Sequence, residues 1–216
     1  MMDEFAALRE QMVVNQIERR GVKDPRVLRA MREVPRHVFV PHELWEDAYA
    51  DSPIRIGHEQ TISQPYIVAL MTELLRVRPG DKVLEVGTGS GYQAAMLGEL
   101  AAEVHTIERF PELAHSAETR LNDLGYTNVH VHTGDGTLGY PPAAPYDRIL
   151  VTAAAPAAPA ALKDQLGEGG RLVIPVGSRH STQILEIYDR IGDEFSKMKH
   201  ISVVFVPLIG EDGWEE

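Results

Sequence analysis

The spacing of hydrophobic residues changes near residue 80, where helical periodicity gives way to short apolar runs. Ahead of that point, a set of apolar residues at roughly helical spacing predicts a first helix, which Gly21 ends. This set comprises Phe5, Leu8, Met12 and Ile17. Asp24 as N-cap and Pro25 at the first helical position then predict a second helix that runs to about Glu33.

A proline-rich segment, VPRHVFVPHELWEDAYADSPIRIG, follows the second helix and is expected to form an ordered but irregular cover. Three aromatic residues should hold this cover down: Phe39, Trp45 and Tyr49. Residues 61–65 read as a loop that runs into an amphipathic helix over residues 66–76. The turn at 78–81, Arg-Pro-Gly-Asp, ends that helix.

From residue 81 onward, apolar strands alternate with helices. The strands are KVLEV, EVHTIE, NVHVHTGD, YDRILVTAA and GGRLVIPVG, and helices are expected at about 92–100, at 111–124 and in AALKDQL. TQILEIYDR and EFSKMKHISVVFVPL alternate like two antiparallel strands around a turn at 191–193. Such alternation predicts an α/β fold with a Rossmann-like, doubly wound, mostly parallel sheet, antiparallel C-terminal strands and an N-terminal helical cover.

The length of 216 residues suits one domain with a sizeable core. We therefore expect a single domain over residues 1–216, in which 1–80 form the cover and 81–216 the α/β core. Apolar residues make up 44% of the chain and charged residues 25%, which is typical of a folded, soluble protein.

The charge and cysteine content narrow the classes of partner. A net charge of -11 opposes nonspecific binding to nucleic acid. The sequence has no cysteine, which excludes disulfides, thiolate nucleophiles and cysteine-based zinc sites and fits a reducing compartment. The acidic N-terminus does not resemble a signal peptide, and the apolar stretch 149–162 is interrupted by two prolines. We expect a monomeric, cytoplasmic protein without a membrane partner.

The glycine-rich turn after the first parallel strand predicts a cofactor site, because ligands of open parallel sheets bind beyond the carboxyl ends of the strands. It has the spacing G-x-G-x-G, whereas the dinucleotide fingerprint has G-x-G-x-x-G. Glu85, two residues before the first glycine, would repel a pyrophosphate. S-adenosylmethionine has no phosphate and bears a sulfonium and an ammonium, so the charges favour it over NAD. Close packing of helix and strand is the alternative role for these glycines.

Two acidic residues at later strand ends are candidates for the same ligand. Glu108 ends the second strand, about twenty residues beyond the loop, where an acid can accept hydrogen bonds from ribose hydroxyls. Asp135, in Gly-Asp-Gly after the third strand, could accept from the adenine amine, although such a motif alone is more often a turn.

These motifs together resemble the protein-L-isoaspartate O-methyltransferases, a family that methylates the free α-carboxylate of isoaspartyl residues in damaged proteins and thereby starts repair through a succinimide. The resemblance covers nearly the whole chain through HVFVP, YADSPIRIG, QTISQP, VLEVGTGSGYQAA, TIE, GDG, YDRILVTAAAP and LGEGGRLVIPVG. The glycine loop occurs widely in class I methyltransferases, whereas TISQP together with VTAAAP is more specific to this family. The family often has Ala-Pro-His after the serine of TIS, and Gln64-Pro65-Tyr66 here leaves the shape of the pocket wall in doubt.

The resemblance implies a set of site residues. Ser63 would be catalytic, at the substrate carboxylate. Cofactor contacts are expected from Thr61, Ile62, Ser63, Glu85, Gly87, Thr88, Gly89, Ser90, Glu108, Arg109, Asp135, Gly136 and Thr152. Substrate contacts are expected from Ser63, Gln64, Ala153, Ala154, Val206, Pro207 and Leu208. For Ala153 and Ala154, small side chains after the fourth strand would let a peptide backbone come close.

The reaction needs no acidic, lysine or cysteine side chain at the substrate, because a carboxylate is already ionised at neutral pH and needs no general base. Alignment of oxygen, methyl carbon and sulfur then provides most of the catalysis. Ser63, as N-cap of the following helix, could accept from a helix N–H and donate its proton to a substrate oxygen. An N-cap without a catalytic role is the alternative.

Other assignments remain as rivals: a methyltransferase for a small carboxylate metabolite, a nicotinamide-dependent oxidoreductase, or a cofactor-binding module without catalysis. His130 and His132 share one strand face, but no third ligand has a recognisable spacing, so no metal site is expected. The pair Arg19-Arg20 is expected to be a solvated helix end.

Overall fold

A computed structural model describes residues 4–215 of the chain. The helices are α1 (Ala6–Met12), α2 (Pro25–Glu33), α3 (Pro65–Leu75), α4 (Tyr92–Gly98), α5 (Pro111–Asp123) and α6 (Ala160–Asp164). The strands are β1 (Ile54–Gly57), β2 (Gln60–Ile62), β3 (Lys82–Val86), β4 (Glu103–Glu108), β5 (Val129–Thr133), β6 (Tyr146–Val151), β7 (Leu166–Gly177), β8 (Gln183–Ile191) and β9 (Glu194–Val203).

Strands β3 to β9 form one seven-stranded sheet in the order β5-β4-β3-β6-β7-β8-β9. The first five of these strands pair in parallel, and β8 and β9 are added antiparallel at the edge. This confirms the predicted fold class. Strand order reverses at β3, whose neighbours β4 and β6 lie on opposite sides, so the carboxyl end of β3 is the expected ligand position.

The N-terminal helices follow the sequence pattern closely. α1 continues as one π-helical turn over Val13–Ile17 and a 3-10 turn over Glu18–Arg20 before Gly21 ends it with φ 99°. α2 begins at Pro25, and the side chain of Asp24 accepts from the Arg26 backbone N–H as the predicted cap. Both helix boundaries predicted from the sequence are therefore confirmed.

The predicted irregular cover is confirmed for residues 34–53, which form only two short 3-10 turns among the regular elements, whereas its last four residues, 54–57, form β1. Phe39 is 1% exposed, and its ring meets that of Tyr92 edge-on with centroids 5.4 Å apart. This contact joins the cover to α4. A continuous hydrophobic core extends from α1 and α2 through α3 and α4 to one face of the sheet. A second cluster packs the opposite face against α6.

One prediction about this region is wrong. Residues 61 and 62, expected to be loop, belong to β2, which pairs antiparallel with β1 in a separate two-stranded sheet. His58 and Glu59 make the turn between these strands, both with positive φ. Within residues 4–215, no helix has the length and apolar character needed to cross a bilayer.

Candidate functional site

The glycine loop 87–91 connects β3 to α4 at the reversal point of the sheet. Its three glycines all have positive φ: 99° at Gly87, 52° at Gly89 and 89° at Gly91. A Cβ atom on Gly87 would come within 2.4 Å of the Thr152 Oγ1. The Thr152 hydroxyl donates to the Gly87 carbonyl at 2.7 Å, so β6 holds the loop from its other side. The loop thus needs glycine both for its backbone conformation and for its close approach to β6.

Glu85 lies in β3, two residues before Gly87, and its side chain is fully buried. One carboxylate oxygen, Oε2, accepts from the Thr106 hydroxyl at 2.6 Å, and Thr106 also shares a 2.7 Å hydrogen bond with Thr88. The other oxygen, Oε1, has no hydrogen-bond partner among the described residues. Burial raises the pKa of Glu85 to about 8, against the lowering effect of Thr106 and with a smaller contribution from Glu108. A bound group with a positive charge would satisfy Oε1 and favour the ionised carboxylate.

Glu108, at the carboxyl end of β4, is held in place by backbone donors. Its Oε2 accepts from the Gly89 N–H at 2.9 Å, and its Oε1 accepts from the Phe110 N–H at 3.1 Å. Each oxygen keeps a lone pair for a further donor. Glu108 and Arg109 line a small cavity beside Gly87, together with Gly136 of the expected set. The carboxylate is thus oriented by the glycine loop itself.

Asp135 makes its hydrogen bonds within the chain. Its Oδ1 accepts from the Thr137 N–H and hydroxyl at 2.8 and 2.7 Å, and its Oδ2 accepts from the Glu211 N–H at 2.8 Å. Burial acts to raise the pKa of Asp135, but these hydrogen bonds outweigh it and lower the pKa. The side chain therefore anchors the C-terminal segment, and only its neighbour Gly136 reaches the cavity beside Glu108.

Ser63 stands where a cavity against the glycine loop meets an open groove. The cavity is lined by residues 87–90 of the loop and by Thr61, Ile62, Ser63 and Thr152. The groove, of about 720 Å³, is lined by Gln64, Val206 and other residues, and again by Thr61, Ser63 and Thr152. Three side chains with hydroxyl groups thus form the junction between the two spaces.

The N-cap role expected for Ser63 is wrong. Gln64 occupies the N-cap position of α3, which begins at Pro65, and no side chain caps this end. Ser63 lies one residue further out, because Pro at the first helical position shifts the start of the helix. Its carbonyl accepts from the Arg36 guanidinium at 2.8 Å. The hydroxyl is therefore not committed to the helix.

Several of the residues expected at the substrate lie elsewhere. Ala153, Pro207 and Leu208 line the small cavity with Glu108 and are not among the residues that line the groove. Ala154 is fully buried, and its backbone pairs with the chain at 206–208 through two 2.8 Å hydrogen bonds. Of the segment 206–208, Val206 alone is among the residues that line the groove.

The groove also contains residues that the sequence analysis did not assign. Arg20 is an exposed helix end, as expected, and its guanidinium carbon lies 3.6 Å from the centroid of the Tyr66 ring. It also pairs with Asp51 at 3.1 Å. Both Arg20 and Tyr66 line the groove. Phe205 lines both spaces, as Thr152 does. No local motif distinguishes these residues, because the fold joins the end of α1 to the segment after β9.

The donor set around the glycine loop fits S-adenosylmethionine. The chain offers two acidic groups, Glu85 with its unpartnered oxygen and Glu108 with two backbone-held oxygens, on either side of a loop that approaches closely. Two arginines lie near these carboxylates, and both are engaged by the protein: Arg109 packs over the ring of Phe110 at 4.5 Å, and Arg120 donates to the Ser90 carbonyl at 2.8 Å. Carboxylates suit an ammonium and ribose hydroxyls.

Two neighbouring histidines of β4 and β5 contact each other. His105 and His132 share a 2.9 Å hydrogen bond, and His132 stacks on Tyr140 with ring centroids 3.7 Å apart. No group of three or more potential ligands occurs among residues 4–215.

Comparison with known proteins gives consistent matches. The family model for protein-L-isoaspartate(D-aspartate) O-methyltransferase matches residues 7–213. A protein-L-isoaspartate O-methyltransferase of Methanoculleus marisnigri is 56% identical over 207 residues, which cover 96% of this chain and 94% of the relative. A second, from Methanoregula boonei, is also 56% identical, with coverage of 96% and 95%.

Solved structures agree with these sequence matches. A protein-L-isoaspartate O-methyltransferase superposes with a TM-score of 0.84 at 28% identity, over 95% of this chain and 67% of the other. A Plasmodium falciparum protein, provisionally named a protein-L-isoaspartate O-methyltransferase and solved with S-adenosyl-L-homocysteine, gives a TM-score of 0.79 at 27% identity. That match covers 94% of this chain and 97% of the other.

Proposed function

Because this chain belongs to the protein-L-isoaspartate(D-aspartate) O-methyltransferase family, we propose that its methyl transfer takes place at Ser63, at the junction of cavity and groove. The enzyme transfers a methyl group from S-adenosylmethionine to the free α-carboxylate of L-isoaspartyl residues in damaged proteins, which starts repair through a succinimide. The observation that carries the proposal is that Thr61, Ser63 and Thr152 line both the cavity at the glycine loop and the groove.

The cofactor would be held by the two carboxylates. Glu85, with its unpartnered Oε1, would face the ammonium, and the backbone-oriented Glu108 would accept from the ribose hydroxyls. The glycine loop, with Thr88 and Ser90, would enclose the methionine part, and the cavity lined by Arg109 and Gly136 would take the nucleoside. When bound, S-adenosylmethionine supplies an electrophilic methyl carbon on a positively charged sulfur.

Ser63 is proposed to orient the attacking carboxylate. The isoaspartyl carboxylate is ionised at neutral pH, so the chain need not remove a proton from it. The Ser63 hydroxyl would donate to one carboxylate oxygen and leave the other free to attack. This contact replaces water that must leave the carboxylate as the peptide fills the groove, and it fixes the attacking oxygen in line with the methyl carbon.

The size and lining of the groove favour a peptide over a small metabolite. Its volume of about 720 Å³ is large for a single carboxylic acid, and apolar residues of the segment 201–206 form one wall. Gln64 and Val206 would contact the peptide beside the reacting residue. A small substrate would leave most of this wall exposed to water.

We further propose that residues 1–80 and 81–216 act as one domain and that the enzyme is a cytoplasmic monomer without nucleic-acid or membrane partners. The core shared between cover and sheet supports the first part. The net charge of -11 and the cysteine-free composition support the second. Light scattering of the purified protein measures the monomer mass directly.

The test uses mass spectrometry of peptides after incubation with enzyme and S-adenosylmethionine. An isoaspartyl peptide should gain one methyl group, and its normal aspartyl counterpart should gain none. Ser63→Ala should lower kcat on the order of 10- to 100-fold, the loss expected for one hydrogen bond to a charged group. Affinity for S-adenosylhomocysteine should stay nearly unchanged. Full activity of Ser63→Ala would exclude the proposed role, and equal methylation of both peptides would exclude the substrate class.

A further inference from the structure

Arg36 is a buried arginine whose side chain contacts Ala48 in the cover and two residues that line the cavity at the glycine loop, Ser63 and Tyr92. Its side chain is 0% exposed. Nε donates to the Ala48 carbonyl at 2.7 Å, and Nη2 donates to the Ser63 carbonyl at 2.8 Å. The guanidinium carbon lies 4.9 Å from the centroid of the Tyr92 ring, at the first residue of α4 after the glycine loop. One planar group thus connects the cover, the segment with Ser63 and the end of the cofactor loop.

Among residues 4–215, no carboxylate pairs with the Arg36 guanidinium. Nη1 lacks a hydrogen-bond partner in the described part of the chain. Burial lowers the pKa of Arg36 to about 10, Tyr92 and Tyr49 partly offset this effect, and no carboxylate of residues 4–215 contributes. The guanidinium therefore stays charged at neutral pH. An unpaired buried charge is costly, and a stable fold retains one chiefly where function requires it.

The contact with Arg36 holds the Ser63 backbone from the buried side. Pairing between β1 and β2 ends at Ile62, and α3 begins at Pro65, so Ser63 lies in neither element. The Gln64 side chain makes no cap hydrogen bond to α3 and instead donates to the Asp51 carbonyl at 3.1 Å, on the exposed side of the segment. The direction of the Ser63 hydroxyl follows from the orientation of its own backbone, which the hydrogen bond from Arg36 to the Ser63 carbonyl holds.

We propose that Arg36 is a positioning residue for methyl transfer, which holds the Ser63 backbone so that the hydroxyl faces the reacting carboxylate at a fixed distance from the glycine loop. The inference rests on the proposed role of Ser63. The positive charge of Arg36 lies behind the backbone of Ser63, where it favours an anion in the site without binding the substrate carboxylate directly. A lysine cannot reproduce this arrangement, because a single ammonium cannot span two carbonyls in one plane and stack on Tyr92.

The test combines kinetics with a double-mutant cycle on an isoaspartyl peptide. Arg36→Lys should lower kcat on the order of 10-fold or more, the effect of a small misplacement of a reacting group, while S-adenosylhomocysteine affinity changes little. In a Ser63→Ala background the same substitution should change kcat less than about 2-fold, because Arg36 acts through Ser63. A role confined to stability would instead reduce kcat by the same factor in both backgrounds.

Arg171→Lys serves as the matched control. Arg171 is 8% exposed and donates to the Leu74 carbonyl at 2.9 Å, but it pairs with Asp189 away from the site. For Arg171→Lys we expect a lower melting temperature and a kcat within about 2-fold of that of the unmodified enzyme. Arg36→Lys with unchanged kcat, or with equal losses in both backgrounds, would overturn the inference while Ser63 kept its role. Absence of isoaspartyl methylation by the unmodified enzyme would overturn both proposals.

A second measurement keeps the inference testable if Arg36→Lys does not fold. NMR of the unmodified protein with ¹⁵N-labelled arginine follows the Nε–H of Arg36, which is hydrogen-bonded to Ala48. In the presence of S-adenosylhomocysteine, addition of an isoaspartyl peptide should shift this resonance, whereas the normal aspartyl peptide should leave it in place. An unchanged Arg36 resonance at saturating isoaspartyl peptide would contradict the proposal.

Discussion

At Glu85, a buried carboxylate links the fold to cofactor binding. Both carboxylate oxygens are enclosed, yet within residues 4–215 only Oε2 has a hydrogen-bond donor, from Thr106. Desolvation favours the protonated acid, and the pKa is raised to about 8. The sequence analysis identified Glu85 from the charge of its ligand, but burial, and hence the raised pKa, appears only when β4 and β6 enclose β3.

This environment predicts that cofactor binding releases a proton. At pH 7 the free enzyme should carry Glu85 largely protonated, and a ligand ammonium should ionise it, so S-adenosylhomocysteine binding should release nearly one proton. Calorimetry in two buffers of different ionisation enthalpy measures this number. This proton release should disappear above about pH 9, and it should be absent at pH 7 in the Glu85→Gln variant. Equal binding enthalpies in both buffers at pH 7 would show that Glu85 is not coupled to the ligand.

The raised pKa of Glu85 also determines whether the folded protein becomes more or less stable as pH rises. The pKa of Glu85 in the folded protein, about 8, exceeds its ordinary value of 4.5, so between these pH values the folded, ligand-free enzyme binds a proton that the unfolded chain lacks. The contribution of Glu85 to stability is therefore present at low pH and is lost as pH rises from about 4.5 to about 8. Bound S-adenosylhomocysteine should reduce this loss.

At the scale of elements, the loop 87–91 and the strand β2 bring the two halves of the site together. The spacing of the glycines predicted the loop, because a backbone that approaches a ligand or a neighbouring strand closely requires glycine at particular positions. β2 was missed because it has three residues, its partner β1 has four, and the turn uses His58 and Glu59 where left-handed backbone usually selects glycine or asparagine. Tertiary packing determined this hairpin more than local propensity did.

The loop allows a direct test of its backbone requirement. Gly87→Ala places a Cβ 2.4 Å from the Thr152 Oγ1 at a φ of 99°, so it should destabilise the protein by about 1–3 kcal/mol. Displacement of the loop should also weaken S-adenosylhomocysteine binding on the order of tenfold, which calorimetry measures. Gly80→Ala is the matched control, since nothing lies within 4 Å of its Cβ position. Similar affinities in the two variants would contradict a close fit at Gly87.

At the scale of the whole molecule, the sequence predicted the parallel core better than the site it supports. Alternating apolar runs specify strands and helices locally, so their order and the class of fold followed. Arg20 and Arg36 showed no such pattern: one appeared to be a helix end and the other part of an irregular cover. Only folding brings Arg20 onto Tyr66 and Arg36 behind Ser63, 27 residues away in sequence.

The same limit applies to the residues at the carboxyl ends of the strands. The order of strands predicted that Glu108 and Asp135 would both face the ligand, but it did not show that the chain beyond β9 returns to Asp135, where the Glu211 N–H donates to its carboxylate. Ala154 is likewise covered by the returning segment. A contact between distant parts of the chain has no local signal, whereas the glycine loop has one.

The most direct test of the account is a crystal structure with S-adenosylhomocysteine and an isoaspartyl peptide bound together. The account predicts the sulfur beside the loop 87–91, and one oxygen of the isoaspartyl carboxylate about 3 Å from the Ser63 Oγ. The second oxygen should point toward the sulfur. A peptide carboxylate bound away from Ser63, or separated from the sulfur by protein, would contradict the proposed site.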